Sequence, residues 1–153
     1  MKAYQHILLT TDFSKFSEVV ARKAVTLAGH FNARITLLHV VEHFSEDNDE
    51  DNVVVGSHQD VDSGSGKNII AENRQRLVEF ANLVPNLQVI PMVSVSTEAT
   101  EDEIIKVARE IKADLIIMGE HGENGVSVLP GLNTRKLQQK APCDVLVVHA
   151  DAA

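Results

Sequence analysis

The chain has 153 residues, 44% of them hydrophobic and 24% charged, with a formal net charge of -8. These values predict a single globular domain over residues 1–153, with no apolar run of the roughly 20 residues that a membrane-spanning helix needs. The charge leaves no basic face for nucleic acid, and the single Cys143 excludes an internal disulfide and a cysteine-based zinc site. The amino-terminal apolar stretch is too short for a signal peptide, so we expect a cytoplasmic protein without membrane insertion.

The first predicted elements are a strand, a helix and a second strand. An aliphatic run from His6 to Asp12 predicts the strand, and apolar residues at helical spacing from Phe16 to Phe31 predict the helix. The second strand is predicted from Arg34 to Glu42. Continuous apolar runs of this kind are typical of strands in a sheet that is covered on both faces.

The next segment, Ser45 to Gly66, has no hydrophobic periodicity. Seven acidic residues and no Lys or Arg lie between Ser45 and Asp62, so this stretch carries -7 of the net charge of -8. Such a composition predicts a long mobile loop after the second strand. Too little chain precedes it to fold alone, so we do not expect a domain boundary there.

Two further helix and strand pairs are predicted downstream. Helical spacing from Ile69 to Val84 precedes an aliphatic strand from Leu87 to Val95, and helical spacing from Ile104 to Ile111 precedes a strand from Ala113 to Gly119. The third helix opens with Thr100-Glu-Asp-Glu103, which has the spacing of a capping box. In that motif the Thr and Glu side chains satisfy each other's backbone N–H groups.

The last elements follow a glycine-rich segment, residues 119 to 134, which contains four glycines and a proline. A helix is predicted from about Asn133 to Lys140, ending before Pro142. The final strand is predicted from Asp144 to His149, with aliphatic residues on both faces. Cys143, immediately before it, is predicted to be a small buried thiol. A terminal strand usually lies at a sheet edge, and an uncovered edge invites pairing with another chain. We therefore predict a homodimer joined through residues 144 to 149.

The alternation of strands and helices predicts an α/β domain with a parallel sheet, in which ligands bind beyond the carboxyl ends of the strands. Two such ends stand out, Thr10-Thr-Asp-Phe-Ser14 and Met118-Gly-Glu-His-Gly122. Glycines before the last helix would let a phosphate approach its backbone N–H groups, and Asp12 would accept hydrogen bonds from a ribose or base amine, or help to hold a metal ion. Alternatively, the glycines only turn a surface loop, while Asp12 or Ser14 caps the first helix.

Four segments together resemble the universal stress protein family: Thr10-Thr-Asp-Phe-Ser14, Leu37-Leu-His-Val40, Asp114-Leu-Ile-Ile-Met-Gly-Glu-His-Gly122 and Ala141-Pro-Cys-Asp-Val-Leu-Val-Val148. The resemblance runs over nearly the whole chain and leaves out mainly the acidic segment. It implies a Rossmann-like α/β fold, similar to the adenine nucleotide alpha hydrolases. The implied sheet has five parallel strands in the order 3-2-1-4-5 with helices on both faces, in a dimer often made in response to stress.

The nucleotide-binding branch of that family carries Gly, two residues, Gly, nine residues, then Gly followed by Ser or Thr. Gly119 and Gly122 match the first pair, but the next interval has eight residues and Leu132 follows Gly131. The resemblance implies an ATP site, with Mg²⁺ if ATP binds. By analogy, the site includes the first strand end (Thr10, Thr11, Asp12), with Asp12 and Val40 at the adenosine. Met118, Gly119 and Gly122 would line the ribose and phosphate path. Gly131 and Asn133 would lie at the phosphates, where Thr134 would replace the missing hydroxyl.

Three functions are compatible with these features. The first is a dimeric stress-response binding module that holds ATP and acts through its occupancy or its protein partners. The second is a dimeric interaction protein whose pocket is empty or closed and whose acidic segment binds basic partners. The third, a slow ATPase, is the least supported, because no residue is an evident general base or arginine finger. We assign no catalytic residue and no protein ligand for a resident metal.

Overall fold

The computed structural model describes residues 3–42, 67–120 and 134–149. They form five strands and four helices: β1 (His6–Thr10), α1 (Lys15–Phe31), β2 (Arg34–Glu42), α2 (Lys67–Leu83), β3 (Val89–Ser96), α3 (Thr100–Glu110), β4 (Leu115–Gly119), α4 (Thr134–Lys140) and β5 (Asp144–Val148). The predicted acidic loop, Ser45 to Gly66, lies outside the described residues. No helix within them is both long and apolar enough to span a bilayer.

The five strands form one parallel sheet in the order β3-β2-β1-β4-β5. The predicted α/β class and strand order are therefore confirmed. All residues of the central strands β1 and β4 are buried, which explains the continuous apolar runs Ile7–Leu9 and Leu115–Met118 within them. The edge strand β5 alternates between exposed and half-buried residues until Val148.

The helices cover the two faces of the sheet in pairs. α1 contacts the face that carries Gly119, where Phe16 and Val20 lie against this residue. α3 contacts the other face, where the Glu103 carboxylate accepts a hydrogen bond from the Ser94 hydroxyl. Because parallel strands are joined by right-handed crossovers, α2 lies on the face of α1, and α4 lies on the face of α3.

The first residues of α1 and α3 can be compared with the caps predicted for these two helices. Of the two residues named as alternative caps of α1, Asp12 and Ser14, the structure selects Ser14, whose hydroxyl accepts the Ser17 N–H at 3.2 Å. The prediction of a capping box at the start of α3 is wrong, because the N-cap is Ala99 and Thr100 already lies inside the helix. The Glu103 side chain binds β3 instead of the helix start, so a tertiary contact displaces the local one.

A buried histidine joins three elements at the amino-terminal edge of the sheet. The Nδ1–H of His6 donates to the Ile111 carbonyl at 3.1 Å, and its Nε2 accepts from the Thr36 hydroxyl at 2.7 Å. Burial, with a smaller contribution from the charge of Arg34, lowers the pKa of His6 below its usual value of 6.5. The ring is therefore neutral in the folded protein at neutral pH.

We predict that His6 makes the free energy of unfolding depend on pH. Because the folded pKa is the lower one, the unfolded chain binds more protons as the pH falls, and stability decreases below about pH 6.5. Urea denaturation at pH 5, 6, 7 and 8 should show this decrease, and it should be smaller in His6→Gln. Equal pH dependence in the two proteins would contradict the assignment to His6.

Candidate functional site

The chain leaves the carboxyl end of β1 through a turn that is fixed by its own polar groups. The Thr11 N–H donates to the Leu38 carbonyl at 3.0 Å, and the Thr11 hydroxyl accepts the Phe13 N–H at 2.9 Å. The Nδ1–H of His39 donates to the Thr11 carbonyl at 2.8 Å. Thr11 is only 1% exposed, so its side chain shapes the turn and is not presented to solvent.

Asp12 is the acidic residue that this turn orients. Its Oδ1 accepts the Ser17 hydroxyl at 2.7 Å and the Ser14 N–H at 3.0 Å, while its own N–H donates to Ser17 Oγ at 3.2 Å. Both hydrogen bonds that its carboxylate accepts from the described residues end on Oδ1. The second oxygen, Oδ2, therefore keeps its lone pairs for a donor from outside the turn.

Phe13 occupies a backbone conformation that bulky residues rarely adopt, with φ at 69°. Its ring centroid lies 4.5 Å from that of His39 and 6.2 Å from that of Phe80, and the Arg76 guanidinium carbon lies 4.1 Å from it. Burial lowers the pKa of His39, so this ring is also neutral at neutral pH. These contacts offset the cost of the strained backbone, which is about 1–3 kcal/mol for such conformations.

Thr10, Val40 and Met118 lie on one face of the sheet at the ends of three adjacent strands. Thr10 is paired with Leu38, and Leu8 is paired with Ile116. Because residues two positions apart share a face of the sheet, Val40 and Met118 lie on the same face as Thr10, which is the face that α3 covers. They are 5%, 5% and 1% exposed. The structure thus brings these three predicted residues together, beside the turn that carries Thr11 and Asp12.

The Thr10 hydroxyl is buried and has no hydrogen-bond partner among the residues that the structure describes. Leaving a buried hydroxyl unsatisfied costs about 1–3 kcal/mol. Sequence reasoning included Thr10 only as part of a motif and gave no sign that its hydroxyl is unused. That feature depends on which face of β1 the residue occupies and on what covers it.

Gly119 ends β4, and the structure gives it a packing role. A Cβ at this position would lie 2.8 Å from Phe16 Cε2 and 3.0 Å from Val20 Cγ2. The missing side chain therefore allows α1 to approach β4 closely. The glycine was predicted to line a path for ribose and phosphate, but the side from which its Cβ is missing is occupied by α1.

The start of α4 is tied to the start of α3. Lys136 Nζ lies 3.1 Å from Asp102 Oδ1 and 4.0 Å from Glu101 Oε2. Thr134 is the first residue of α4 and is half-buried, and this tie holds it at the carboxyl-terminal edge of the sheet. Three other predicted site residues, Gly122, Gly131 and Asn133, lie outside the described residues.

A cavity of about 430 Å³ lies at the opposite, amino-terminal edge of the sheet, lined in part by Tyr4, Phe31, Asp114, Cys143 and Asp144. Cys143 is half-buried instead of fully buried, because it precedes the edge strand. Burial, followed by the charges of Asp114 and Asp144, raises the pKa of its thiol to about 11. The thiol therefore stays protonated at neutral pH and is a poor nucleophile.

Sequence reasoning missed the residues that orient the site from a distance. Ser17 fixes Asp12 from the first turn of α1, Arg76 contacts Phe13 from α2, and Lys136 ties α4 to α3. Ser17 lies five residues after Asp12 and three after the N-cap Ser14, which is the one local spacing that could have indicated its role. The other two contacts join segments far apart in the chain and leave no local pattern.

Comparison with known proteins gives a family and a fold. A model of the "Universal stress protein family" matches residues 3–149. Universal stress protein A homolog 1 of Coxiella burnetii is 29% identical over 149 residues, covering 95% of this chain and 96% of that protein. The alignment thus includes nearly all of both chains.

Solved structures of the same family share the architecture. A universal stress protein in complex with cAMP has a TM-score of 0.63 and 22% identity, covering 97% of this chain and 99% of its own. The universal stress protein from Archaeoglobus fulgidus in complex with dAMP has a TM-score of 0.56 and 19% identity, covering 96% and 99% of the two chains. These similarities confirm the Rossmann-like fold.

Proposed function

The chain belongs to the universal stress protein family, and on that premise we propose that it is a cytoplasmic binding module for an adenine nucleotide. The ligand lies beyond the carboxyl ends of β1, β2 and β4. Among the possible nucleotides we propose ATP with Mg²⁺, because the chain keeps part of the family's glycine motif. Two structural neighbours that carry cAMP and dAMP support nucleotide binding in general.

The observation that carries this proposal is the geometry of Asp12. Two donors hold Oδ1, at 2.7 and 3.0 Å, so that the carboxylate is oriented before a ligand arrives. Preorganised acceptors of this kind suit ribose hydroxyls or a base amine, because little ordering remains to be done on binding. The apolar Val40 and Met118 are buried at the adjoining strand ends.

Calorimetry on the wild-type chain tests the function directly. Titration with ATP, ADP and AMP, each with and without Mg²⁺, should give saturable heat for at least one nucleotide. The absence of heat for all three at millimolar concentration would overturn the proposal. The same result would favour the second candidate, an interaction protein that binds basic partners through the segment from Ser45 to Asp62, where seven of the acids lie.

We also propose that the protein is a homodimer joined through β5. This strand lies at the edge of the sheet, and Leu146 is 36% exposed on it. The opposite edge strand, β3, carries Pro91, which cannot donate a backbone hydrogen bond to a further strand. Of the two edges, β5 is therefore the better surface for pairing with a second copy.

Sedimentation should detect the dimer as a mass twice the 16.7 kDa of one chain. We predict that Leu146→Lys shifts the mass to that of the monomer, because each of the paired strands would then carry a like charge on the sheet face next to the other. Ile90→Lys is the matched control, since Ile90 is 52% exposed on the other edge strand, and it should leave the mass unchanged. A wild-type protein that sediments as a monomer at micromolar concentration contradicts the dimer.

A further inference from the structure

The cavity at the amino-terminal edge of the sheet is lined by acidic and aromatic side chains. Its volume of about 430 Å³ falls within the range of roughly 300–1,000 Å³ that small-molecule pockets occupy. Asp114 and Asp144 line it, and none of the described lining residues is Lys, Arg or His. The cavity lies at the edge opposite the proposed nucleotide site, so it is a separate feature of the molecule.

The two carboxylates in this cavity differ in what they offer to a ligand. Both oxygens of Asp114 accept backbone N–H groups, from Gln5 and His6, at 2.9 to 3.2 Å. Asp144 is exposed, and its Oδ2 accepts the Tyr4 hydroxyl at 2.6 Å. No residue that the structure describes donates to Asp144 Oδ1, and neither carboxylate forms an ion pair with one. Asp114 therefore supplies charge, whereas Asp144 also supplies an oriented oxygen with unused lone pairs.

Two aromatic rings line the same cavity. The ring centroids of Tyr4 and Phe31 lie 5.2 Å apart, with their planes at 82°. The face of an aromatic ring attracts a cation, and so does the carboxyl-terminal end of a helix, where Phe31 is the last residue of α1. The negative charge of the cavity also affects its own side chains. The hydrogen bond to Asp144, burial and the charges of Asp144 and Asp114 raise the pKa of Tyr4.

The surroundings indicate which kind of cation would fit. The described residues contain no group of three or more His, Cys, Asp or Glu that could hold a metal ion. A guanidinium group suits the cavity better, because it is planar, stacks on aromatic rings and donates to a carboxylate through more than one N–H. An ammonium group carries the same charge but lacks the planar shape.

We propose that this cavity is a binding site for a small organic cation with a guanidinium group, which donates to Asp144 Oδ1 and lies against Tyr4 and Phe31. Asp114 adds attraction through its charge. The inference does not rest on the proposed nucleotide binding, because it uses other residues at the opposite edge of the sheet.

Tyrosine fluorescence gives a direct test on the wild-type chain. Tyr4 is the only tyrosine and the chain has no tryptophan, so this signal reports on the cavity alone. At constant ionic strength, butylguanidinium should change the signal saturably below about 10 mM. Butylurea, which has a similar shape but no charge, and MgCl₂ should leave it unchanged.

The bound cation should also lower the pKa of Tyr4, because it offsets the charges of Asp144 and Asp114 that raise this pKa. Titration of tyrosinate absorbance with butylguanidinium and with butylurea measures the difference. A guanidinium group stays charged in the pH range where tyrosine ionises, so the probe does not change during the titration.

Asp144→Asn and Glu98→Gln form a matched pair, since each removes one exposed negative charge. Asp144→Asn keeps an oxygen that can accept from Tyr4 and should bind butylguanidinium roughly 2- to 5-fold more weakly by calorimetry, as expected for the loss of one exposed ion pair. Glu98 precedes α3 at the other edge of the sheet, and Glu98→Gln should bind as the wild type does. Sedimentation should give the same mass for both variants and the wild type, which excludes an effect through β5.

Three results would overturn the inference. One is a fluorescence response that is equal for butylguanidinium and butylurea, or absent for both. Another is an equal loss of affinity in Asp144→Asn and Glu98→Gln, which would show only a general effect of net charge. If Nα-acetylargininamide binds more tightly than butylguanidinium, the occupant is an arginine side chain of a protein and not a small molecule. If Asp144→Asn does not fold, the comparison of butylguanidinium with butylurea on the wild type decides.

Discussion

Gly119→Ala is expected to destabilise the fold by about 1–3 kcal/mol, because the added methyl group overpacks a filled core. The new Cβ would lie 2.8 Å from Phe16 Cε2 and 3.0 Å from Val20 Cγ2. Those side chains are 9% and 1% exposed, so neither can move aside without disturbing its neighbours. Thermal denaturation should show a melting temperature lower by roughly 2–10 °C.

Gly29→Ala is the control for that substitution, because it makes the same chemical change in open space. Gly29 lies inside α1, and nothing comes within 4 Å of a Cβ built there. Alanine favours a helix over glycine by up to about 1 kcal/mol, so Gly29→Ala should raise the melting temperature. If both variants melt at or above the wild-type temperature, the close contact between α1 and β4 does not require a glycine at position 119.

Asp12→Asn is expected to weaken nucleotide binding by about 10- to 100-fold, because hydrogen bonds to a charged acceptor contribute about 1.5–3 kcal/mol. The amide keeps an oxygen that can accept from Ser14 and Ser17, so the start of α1 should persist. Calorimetry with the best-binding nucleotide measures the affinity, and thermal denaturation checks the fold.

Ser17→Ala separates the charge of Asp12 from its orientation. The variant keeps the carboxylate but removes the hydroxyl that donates to Oδ1 at 2.7 Å. It should weaken nucleotide binding less than Asp12→Asn does, since the charge remains and Ser14 still holds Oδ1. If Asp12→Asn binds nucleotide as well as the wild type, the carboxylate takes no part in binding and the geometric argument for the site is lost.

Local patterns were sufficient where a single segment decides the outcome. Aliphatic runs and helical spacing placed every described strand and helix to within about two residues. Either Asp12 or Ser14 was predicted to cap α1 from its position before the helix, and the Ser14 hydroxyl is the group that does so. Such features depend on contacts between residues a few positions apart, so the order of the residues carries them.

Where two distant segments compete or cooperate, local patterns gave an incomplete or wrong prediction. Thr100-Glu-Asp-Glu103 has the spacing of a capping box, but Glu103 binds Ser94 on β3, and the helix begins after Ala99. Gly119 matches a glycine motif, yet the reason that the structure gives for it is the approach of α1. In both cases the decisive partner lies on another element.

The amino-acid sequence by itself determined the family, the α/β class and the positions of the elements, because hydrophobic periodicity and motifs are properties of neighbouring residues. Only the tertiary structure decided that Asp12 is oriented by Ser17, that Gly119 accommodates α1, and that the Thr10 hydroxyl has no partner among the described residues. These facts depend on which sheet face a residue occupies and on which helix covers it. Both are fixed when the strands pair and the crossovers close, so they cannot be read from a single segment.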